Sequence, residues 1–294
     1  MAKKILITGA SSGFGQLAVD ALLAEGHTIV ASIRDPEGRN SDIAQSLRSK
    51  GVHVVEIDVT NEDSVNLGVA SAIEAADGLD VLINNAGVGV MGMTENFTTD
   101  DMQKLFEINL FGVQRMTRAV LKHFHEKKSG YVLNVSSILG RMTIPFYGPY
   151  NASKWALEAL TENYRTELSQ FGIDFGLVEP GGFPTSFMDR LIRPSDNSRD
   201  ELYGDFIHAP QQSQEGFEQA LAENPAQDPK LVSEAIVSLI NTPAGERPFR
   251  TVVDKMGMGD HIEGYNEHLE KLTQGIYTAF GTDGLLNLNT GHNQ

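Results

Sequence analysis

Cysteine is absent from the 294 residues. That excludes disulfides, zinc thiolate sites, iron–sulfur clusters and a thiol nucleophile. No apolar run approaches the roughly 20 residues that span a bilayer, and the one in MAKKILITGASSG is too short for a signal-peptide core. Basic residues are scarce too, 23 against 39 acidic, leaving a net charge of -16. Such a charge opposes binding to nucleic acid and to anionic membrane surfaces, so a bound phosphate would need donors gathered locally. Neither H-E-x-x-H nor G-x-S-x-G occurs, which removes support for zinc hydrolysis and for a hydrolase nucleophile elbow. His123 and His125 stand two apart, on different faces of a helix, and no metal site is expected. A soluble cytoplasmic protein is the resulting expectation.

A hydrophobic content of 40% supports a substantial core. Short β-branched runs, KILIT (4–8), TIVASI (28–33), VHVVEI (52–57), DVLINN (80–85), YVLNVS (131–136) and DFGLVEP (174–180), alternate with stretches of helical period such as 100–127. This alternation predicts an α/β protein with a doubly wound parallel sheet, the Rossmann arrangement, whose ligands gather at the carboxyl ends of the strands. The expected organisation is one domain over 1–294. Within it, 1–185 forms the core and 186–230 a lid or poorly ordered insertion. Residues 231–294 add a helix near 231–240, a last strand near 249–253 and a helical tail around 267–279.

ITGASSGFG places Gly9, Gly13 and Gly15 between the first strand and the first helix. Glycine there permits a tight turn and lets backbone N–H groups approach a pyrophosphate at the helix start. The end of the second strand selects the nucleotide. Ile33 offers no carboxylate to a ribose 2'-hydroxyl, while Arg34 can bind a 2'-phosphate or simply be solvated, and Ser11 could add a hydroxyl; NADP(H) is favoured over NAD(H). Asp58 suits an adenine amino group or, equally, caps the turn that follows it. Asn85, Ala86 and Gly87 would lie against the cofactor ribose.

Thr8-Gly9-x-x-x-Gly13-x-Gly15, NNAG (84–87), NVSS (134–137), Tyr150-x-x-x-Lys154 and the Pro180-Gly181 pair in VEPGGFPT (178–185) together resemble the short-chain dehydrogenase/reductase family, over residues 3–185. The resemblance implies a catalytic tetrad of Asn109, Ser137, Tyr150 and Lys154. Ser137 is preferred to Ser136 because it lies thirteen positions before Tyr150. It also implies cofactor contacts from Ser12, Phe14, Val59, Pro180, Gly181, Phe183 and Thr185, and a homodimer or homotetramer built through helices starting near Asp100 and Tyr150.

Chemistry gives the tetrad its logic. Reducing a carbonyl needs a hydride and a proton donor within hydrogen-bond reach of the developing alkoxide. Tyr150 can be that acid, and the base in reverse. Lys154, one turn along the same face, is expected to lower the Tyr150 pKa and to hydrogen-bond the nicotinamide ribose. Ser137 would hold the substrate oxygen, and Asn109, inside a long helix, would hold a water linking Lys154 to solvent. Apolar Ile138, Leu139, Tyr147 and Phe187 suggest a wall for a lipophilic small-molecule ketone, aldehyde or alcohol. Two rival readings share the scaffold. One is an NADP(H) sensor without turnover; the other is a sugar-nucleotide epimerase or dehydratase, against which the three-residue gap from Gly9 to Gly13 counts.

Overall fold

Seven short runs rich in Val, Ile and Leu form one parallel sheet in the computed structural model, which describes residues 1–291. They are β1 (Lys4–Thr8), β2 (Thr28–Ile33), β3 (His53–Glu56), β4 (Val81–Asn84), β5 (Gly130–Val135), β6 (Ile173–Pro180) and β7 (Arg250–Val253). Spatial order is β3-β2-β1-β4-β5-β6-β7. The direction of winding reverses between β1 and β4, which places the ligand crevice beyond the carboxyl ends of those two strands. The expected doubly wound sheet is therefore present, with each strand end within one residue of its sequence estimate.

The helices are α1 (Gly13–Ala24), α2 (Ser41–Ser49), α3 (Glu62–Ala75), α4 (Thr99–Phe106), α5 (Gly112–Lys127), α6 (Gly148–Leu168), α7 (Asp200–Tyr203), α8 (Ala209–Glu223), α9 (Lys230–Asn241) and α10 (Gly259–Phe280). One face of the sheet buries Ile5, Ile7 and Ile83 against Val19 and Leu22 of α1 and Ile236 and Leu239 of α9. The other buries Leu6, Leu82 and Val132 against Val65 and Val69 of α3 and Met116, Val120 and Phe124 of α5. Strands apolar on both faces are what a covered parallel sheet requires, and each fully buried aliphatic side chain contributes about 2 kcal/mol.

Three expectations are corrected. The helix read as continuous over 100–127 is broken into α4 and α5 by a π-helical turn, Glu107–Phe111, with Asn109 at its centre. Its side chain satisfies a neighbouring loop, a tertiary demand that helical period does not encode. Residues 186–230 are not an irregular insertion: they hold α7, α8 and short 3-10 turns, and the segment before α7 is pinned by a parallel bridge between Val90 and Ile192. The tail helix begins at Gly259, eight residues before its expected start.

Candidate active site

The nucleotide turn is held from below by Thr8. Its Oγ1 accepts the N–H groups of Asn85 and Ala86, both at 3.0 Å, tying the end of β1 to the end of β4. Asn85 Nδ2 donates to the carbonyls of Thr8 (3.0 Å) and Gly9 (3.1 Å). The side chain expected against the ribose thus also braces the turn. Gly9 has φ of 67°, and a Cβ on Gly15 would stand 2.2 Å from the Gly9 carbonyl oxygen, so both positions demand glycine. Ser12 caps α1 with its backbone alone and lends no side-chain hydrogen bond to the first turn.

A cavity of about 510 Å³ opens above this turn, lined by Gly9, Ser11, Ser12, Gly13, Phe14, Arg34, Asp58, Val59, Asn85, Ala86, Gly87, Tyr150, Lys154, Thr185 and Phe187 among others. These are most of the expected cofactor contacts. Gly15, Pro180, Gly181 and Phe183 are not on its wall. Phe183 is buried edge-on to Phe14 at 5.5 Å, and Gly181 donates its N–H to the Val253 carbonyl at 2.8 Å; both do packing work. Asp58 Oδ1 accepts from Thr60 N (3.0 Å) and Thr60 Oγ1 (2.7 Å), so it caps its turn while still facing the cavity. Burial raises its pKa, but the Thr60 hydrogen bonds, Arg34 and Arg39 outweigh that and hold it below the usual carboxylate value.

Sequence reasoning missed Arg39, Asn40 and Arg190, which also line the cavity. The loop after β2 closes on Asp35, a non-glycine residue with φ of 49°: Arg39 N donates to Asp35 Oδ2 at 3.0 Å, and Asn40 Nδ2 to the Arg34 carbonyl at 2.6 Å. That closure presents Arg34 and Arg39 together, and no spacing rule announces it. Arg190 reaches in from the far side, its Nη1 donating to Ser12 Oγ at 3.2 Å. A strongly acidic chain thus gathers Arg34, Arg39, Arg190 and Lys154 around one cavity. Backbone N–H groups at an uncapped helix start, two glycines in positive φ and these cations fit a dinucleotide phosphate.

The catalytic candidates lie at the closed end. Helix α6 starts at Gly148 with Pro149 in its first turn, where a missing N–H costs nothing. Just before it, Phe146 takes φ of 71°, rare for a bulky residue, and its carbonyl accepts Gly92 N–H at 3.0 Å. Buried Asn134 of β5 joins the sheet to this helix, receiving from Asn84 Nδ2 and donating to Thr161 Oγ1, both at 2.9 Å. Tyr150 and Lys154 are both buried, and Lys154 Nζ donates to the Val135 carbonyl at 2.9 Å. Nζ stands 5.6 Å from the Tyr150 ring centroid.

Electrostatics correct the expectation for this pair. Burial pushes the Tyr150 hydroxyl up to about 12, against the opposing pull of Ser137, with Tyr147 adding to the rise. Burial pulls the Lys154 ammonium down to about 8, opposed by Glu158. Desolvation outweighs the mutual influence of the two groups, because Lys154 points at a carbonyl rather than at the phenol.

Ser137 Oγ accepts from Leu139 N at 3.1 Å and donates to the Pro180 carbonyl at 3.4 Å. Asn109 does not stand open to solvent: its Oδ1 accepts Val88 N–H at 3.0 Å, and its Nδ2 donates to the Val88 carbonyl at 2.9 Å and to Ser153 Oγ at 3.2 Å. The π-helical turn aims this amide at the loop after β4. Ile138, Leu139 and Tyr147 are buried with Tyr150, Val90, Met91 and Phe97 in an apolar cluster rather than on the cavity wall. Phe187 alone of the four expected substrate contacts lines the cavity, its ring edge-on to Tyr150 at 5.9 Å.

A parallel α/β sheet with a glycine turn over its switch point, below a cavity lined by Ser136, Tyr150 and Lys154 with Ser137 just off its wall, is the architecture of a dinucleotide-binding protein. The short chain dehydrogenase family pattern matches residues 3–196. A 3-ketodihydrosphingosine reductase of Bacteroides thetaiotaomicron is 38% identical over 201 residues, covering 68% of this chain and 71% of that protein. The 17-beta-hydroxysteroid dehydrogenase type 1 of Mus musculus is 32% identical over 249 residues, 81% of this chain and 70% of its own. A short-chain dehydrogenase crystal structure from Streptomyces avermitilis superposes with a TM-score of 0.74 at 30% identity, covering 96% of this chain and 99% of that one. The chain belongs to the short-chain dehydrogenase/reductase family, and is an NAD(P)-dependent oxidoreductase acting on a small molecule.

Proposed function

We propose that the protein interconverts a lipophilic ketone or aldehyde and its alcohol with NADP(H), Tyr150 serving as the proton donor and acceptor. The observation that carries this reading is one cavity lined by Arg34 and Arg39 together with buried Tyr150 and Lys154 and half-buried Phe187. When bound, the cofactor would supply hydride to the carbonyl carbon or accept it from the alcohol. Tyr150 Oη gives its proton to the carbonyl oxygen as charge develops there, and Ser137 Oγ steadies the same oxygen as a neutral donor. Lys154 Nζ, with three donors when charged, holds the ribose. Asn109 acts through Val88, fixing the part of the cavity wall that would face the bound cofactor.

Arg34 and Arg39 favour NADP(H), because two guanidiniums facing one cavity end suit a 2'-phosphate better than a ribose hydroxyl. Phe187, on the cavity wall beside Tyr150, and Val88 support a lipophilic substrate, and two relatives named for a sphingoid ketone and a steroid agree with it. Exposed Met102 on α4, Phe111 at the end of the π-helical turn and Trp155 on α6 support a homodimer through those elements.

The test follows cofactor absorbance with NADPH or NADH and a panel of hydrophobic carbonyls. Tyr150→Phe should lower kcat at least about 100-fold, the scale of a lost general acid. Arg34→Ala should raise KM for NADPH at least about tenfold while leaving that for NADH nearly unchanged, as loss of one charged phosphate contact requires. Turnover that survives Tyr150→Phe would overturn the acid assignment.

A further inference from the structure

Helix α10 is fixed at both ends yet packed along one narrow side. Its start is capped by Asp254, whose Oδ2 accepts the N–H groups of Met256 (3.2 Å), Met258 (2.9 Å) and Gly259 (3.0 Å). It stops at Gly281, which takes φ of 69° and donates its N–H to the Thr278 carbonyl at 3.0 Å. Beyond it the chain returns to the body, where Asn289 N–H reaches the Ser169 carbonyl at 2.9 Å and Gln170 Nε2 the Gly284 carbonyl at 3.0 Å. Of the 22 residues of the helix only Gly259, Ile262 and Asn266 are buried, with Leu269, Thr273 and Tyr277 half-buried along the same side. Asn266 Nδ2 donates to Glu179 Oε2 of β6 at 2.5 Å, holding that side beside the edge strand β7.

A neighbouring stripe of α10 is apolar and open. Tyr265, Leu272, Ile276 and Phe280 are 41%, 50%, 54% and 79% exposed. Ile262, Tyr265, Leu269, Leu272, Ile276 and Ala279 recur in alternating steps of three and four residues, the period of a helix that packs lengthwise on a second helix. The body covers Ile262 and part of Leu269 and leaves the rest of this seam to solvent. The rows that flank the seam hold His261, Asn266, His268, Thr273, Gly275 and Phe280. All five charged residues of the helix, Asp260, Glu263, Glu267, Glu270 and Lys271, fall outside those rows. Most of the stability of a helix in a protein comes from packing its apolar face, and most of this face packs on nothing among the described residues.

We propose that this stripe docks on the same stripe of a second copy of the chain, α10 against α10 about a two-fold axis. Spacing, charge and area select that occupant. A strict seam of alternating threes and fours is the geometry of a helix pair. Helices that lie on a lipid surface are basic on their polar side, whereas α10 carries four carboxylates and one lysine there. Two chains of net charge -16 repel one another, but here the carboxylates stand off the seam and the contact brings no like charges together. The four exposed side chains leave on the order of 400 Å² of apolar surface on each copy. Two such stripes with their flanking atoms come to the roughly 1,000 Å² of a specific interface. The contact is isologous, so one apolar stripe serves both partners. It is distinct from the face of α4 and α6 proposed above for a homodimer, and the two contacts together would close a tetramer.

The experiment reads the mass of the full chain by sedimentation velocity between about 1 and 100 μM, the range in which contacts of this size associate. It needs neither cofactor nor turnover and so stands apart from the test of the reaction. Leu272 lies nearest the middle of the 265–280 stripe and faces its own copy whether the helices pair parallel or antiparallel. Leu272→Glu and Leu272→Lys each set like charges against one another and should halve the wild-type mass, through a dissociation constant at least about 100-fold higher. An equimolar mixture of the two variants sets Glu against Lys and should recover the wild-type mass, which neither misfolding nor a foreign partner would produce. Glu267→Lys, on the far side of the helix, should leave the mass unchanged. Should the Leu272 variants fail to fold, Phe280→Ala removes the most exposed ring of the stripe and should raise the constant about tenfold. The proposal is overturned by a wild type that stays monomeric at the highest concentration, by wild-type mass in Leu272→Glu, by an unchanged constant in Phe280→Ala, by a mixture that recovers nothing, or by an equal loss in Glu267→Lys. Binding of wild type to phosphatidylcholine vesicles that Leu272→Glu abolishes at unchanged mass would assign the stripe to a lipid surface and overturn it too.

Discussion

Asp101→Ala should free the segment between β6 and α7 without unfolding the sheet. Asp101 sits in the first turn of α4, where its Oδ2 accepts Ser195 N–H at 3.1 Å, Ser195 Oγ at 2.7 Å and Thr98 N–H at 3.0 Å. Desolvation raises its pKa, but the Ser195 and then the Thr98 hydrogen bonds prevail and hold the carboxyl at about 2, so it is ionised throughout the working range. The same segment is pinned by Met91 N–H to the Ile192 carbonyl (3.1 Å), Ile192 N–H to the Gly89 carbonyl (2.9 Å) and Arg190 to Ser12. Phe187, which stands over Tyr150, belongs to this segment.

Hydrogen bonds to a charged group are worth about 1.5–3 kcal/mol each, and the lower figure applies because Ser195 is exposed. Losing both bonds therefore costs about 3 kcal/mol, or a factor of about 100 in the local opening equilibrium. Hydrogen exchange read by mass spectrometry should show amides of 187–200 exchanging about 100-fold faster in Asp101→Ala, and about tenfold faster in Ser195→Ala, which keeps the backbone bond. Loss of the capping box adds about 1 kcal/mol of damage to α4, visible in its own peptide. Exchange over 187–200 within threefold of wild type would refute the reasoning, because the tether would then hold nothing.

Three further outcomes follow from the same geometry. The Asp101 carboxyl titrates at about 2 in the folded chain, below its ordinary 3.8; its stabilisation is complete above about pH 4 and disappears as pH falls from there toward 2, so exchange over 187–200 should accelerate in that acid window and lose its pH dependence in Asp101→Ala. Gly15→Ala places a carbon 2.2 Å from the Gly9 carbonyl oxygen, which cannot yield without opening the turn, and NADPH titration should show affinity at least about 100-fold lower. Phe187→Ala removes the ring beside Tyr150 and its contact of about 1 kcal/mol; the ratio of kcat/KM for bulky over small ketones should rise at least about fivefold, and a fall would contradict Phe187 as a wall of the substrate site.

Much of the fold was legible because a covered parallel strand must be apolar on both faces. KILIT and DVLINN could be read as strands with no knowledge of their partners. The glycine turn was legible for a similar reason, since Gly9 and Gly15 answer to local backbone constraints. What escaped depends on distant partners. Nothing in EINLF marks a π-helical turn; it arises where Asn109 must meet Val88, twenty-one residues earlier. Helix α8 was hidden by its polar composition, which buries only Pro210 and Leu221. Arg39 joins the cavity through a turn on Asp35, and Phe183 leaves it by packing on Phe14. Pairwise reasoning also misjudged Tyr150: charge spacing on a helix foretold a lowered pKa, but burial dominates.

That misjudgement bears on the direction of the chemistry. A phenol held near 12 keeps its proton at any physiological pH, so on the proposed reading Tyr150 stands ready as an acid for carbonyl reduction. Acting as a base toward an alcohol requires a lower value, which a cation brought nearer to the phenol would supply. Lys154 Nζ donates to the Val135 carbonyl and not to Tyr150 Oη. If the ammonium turns from that carbonyl toward a ribose beside the phenol, its charge draws closer to Oη and begins to favour the phenolate. Acid and base roles would then be separated by one short side-chain movement.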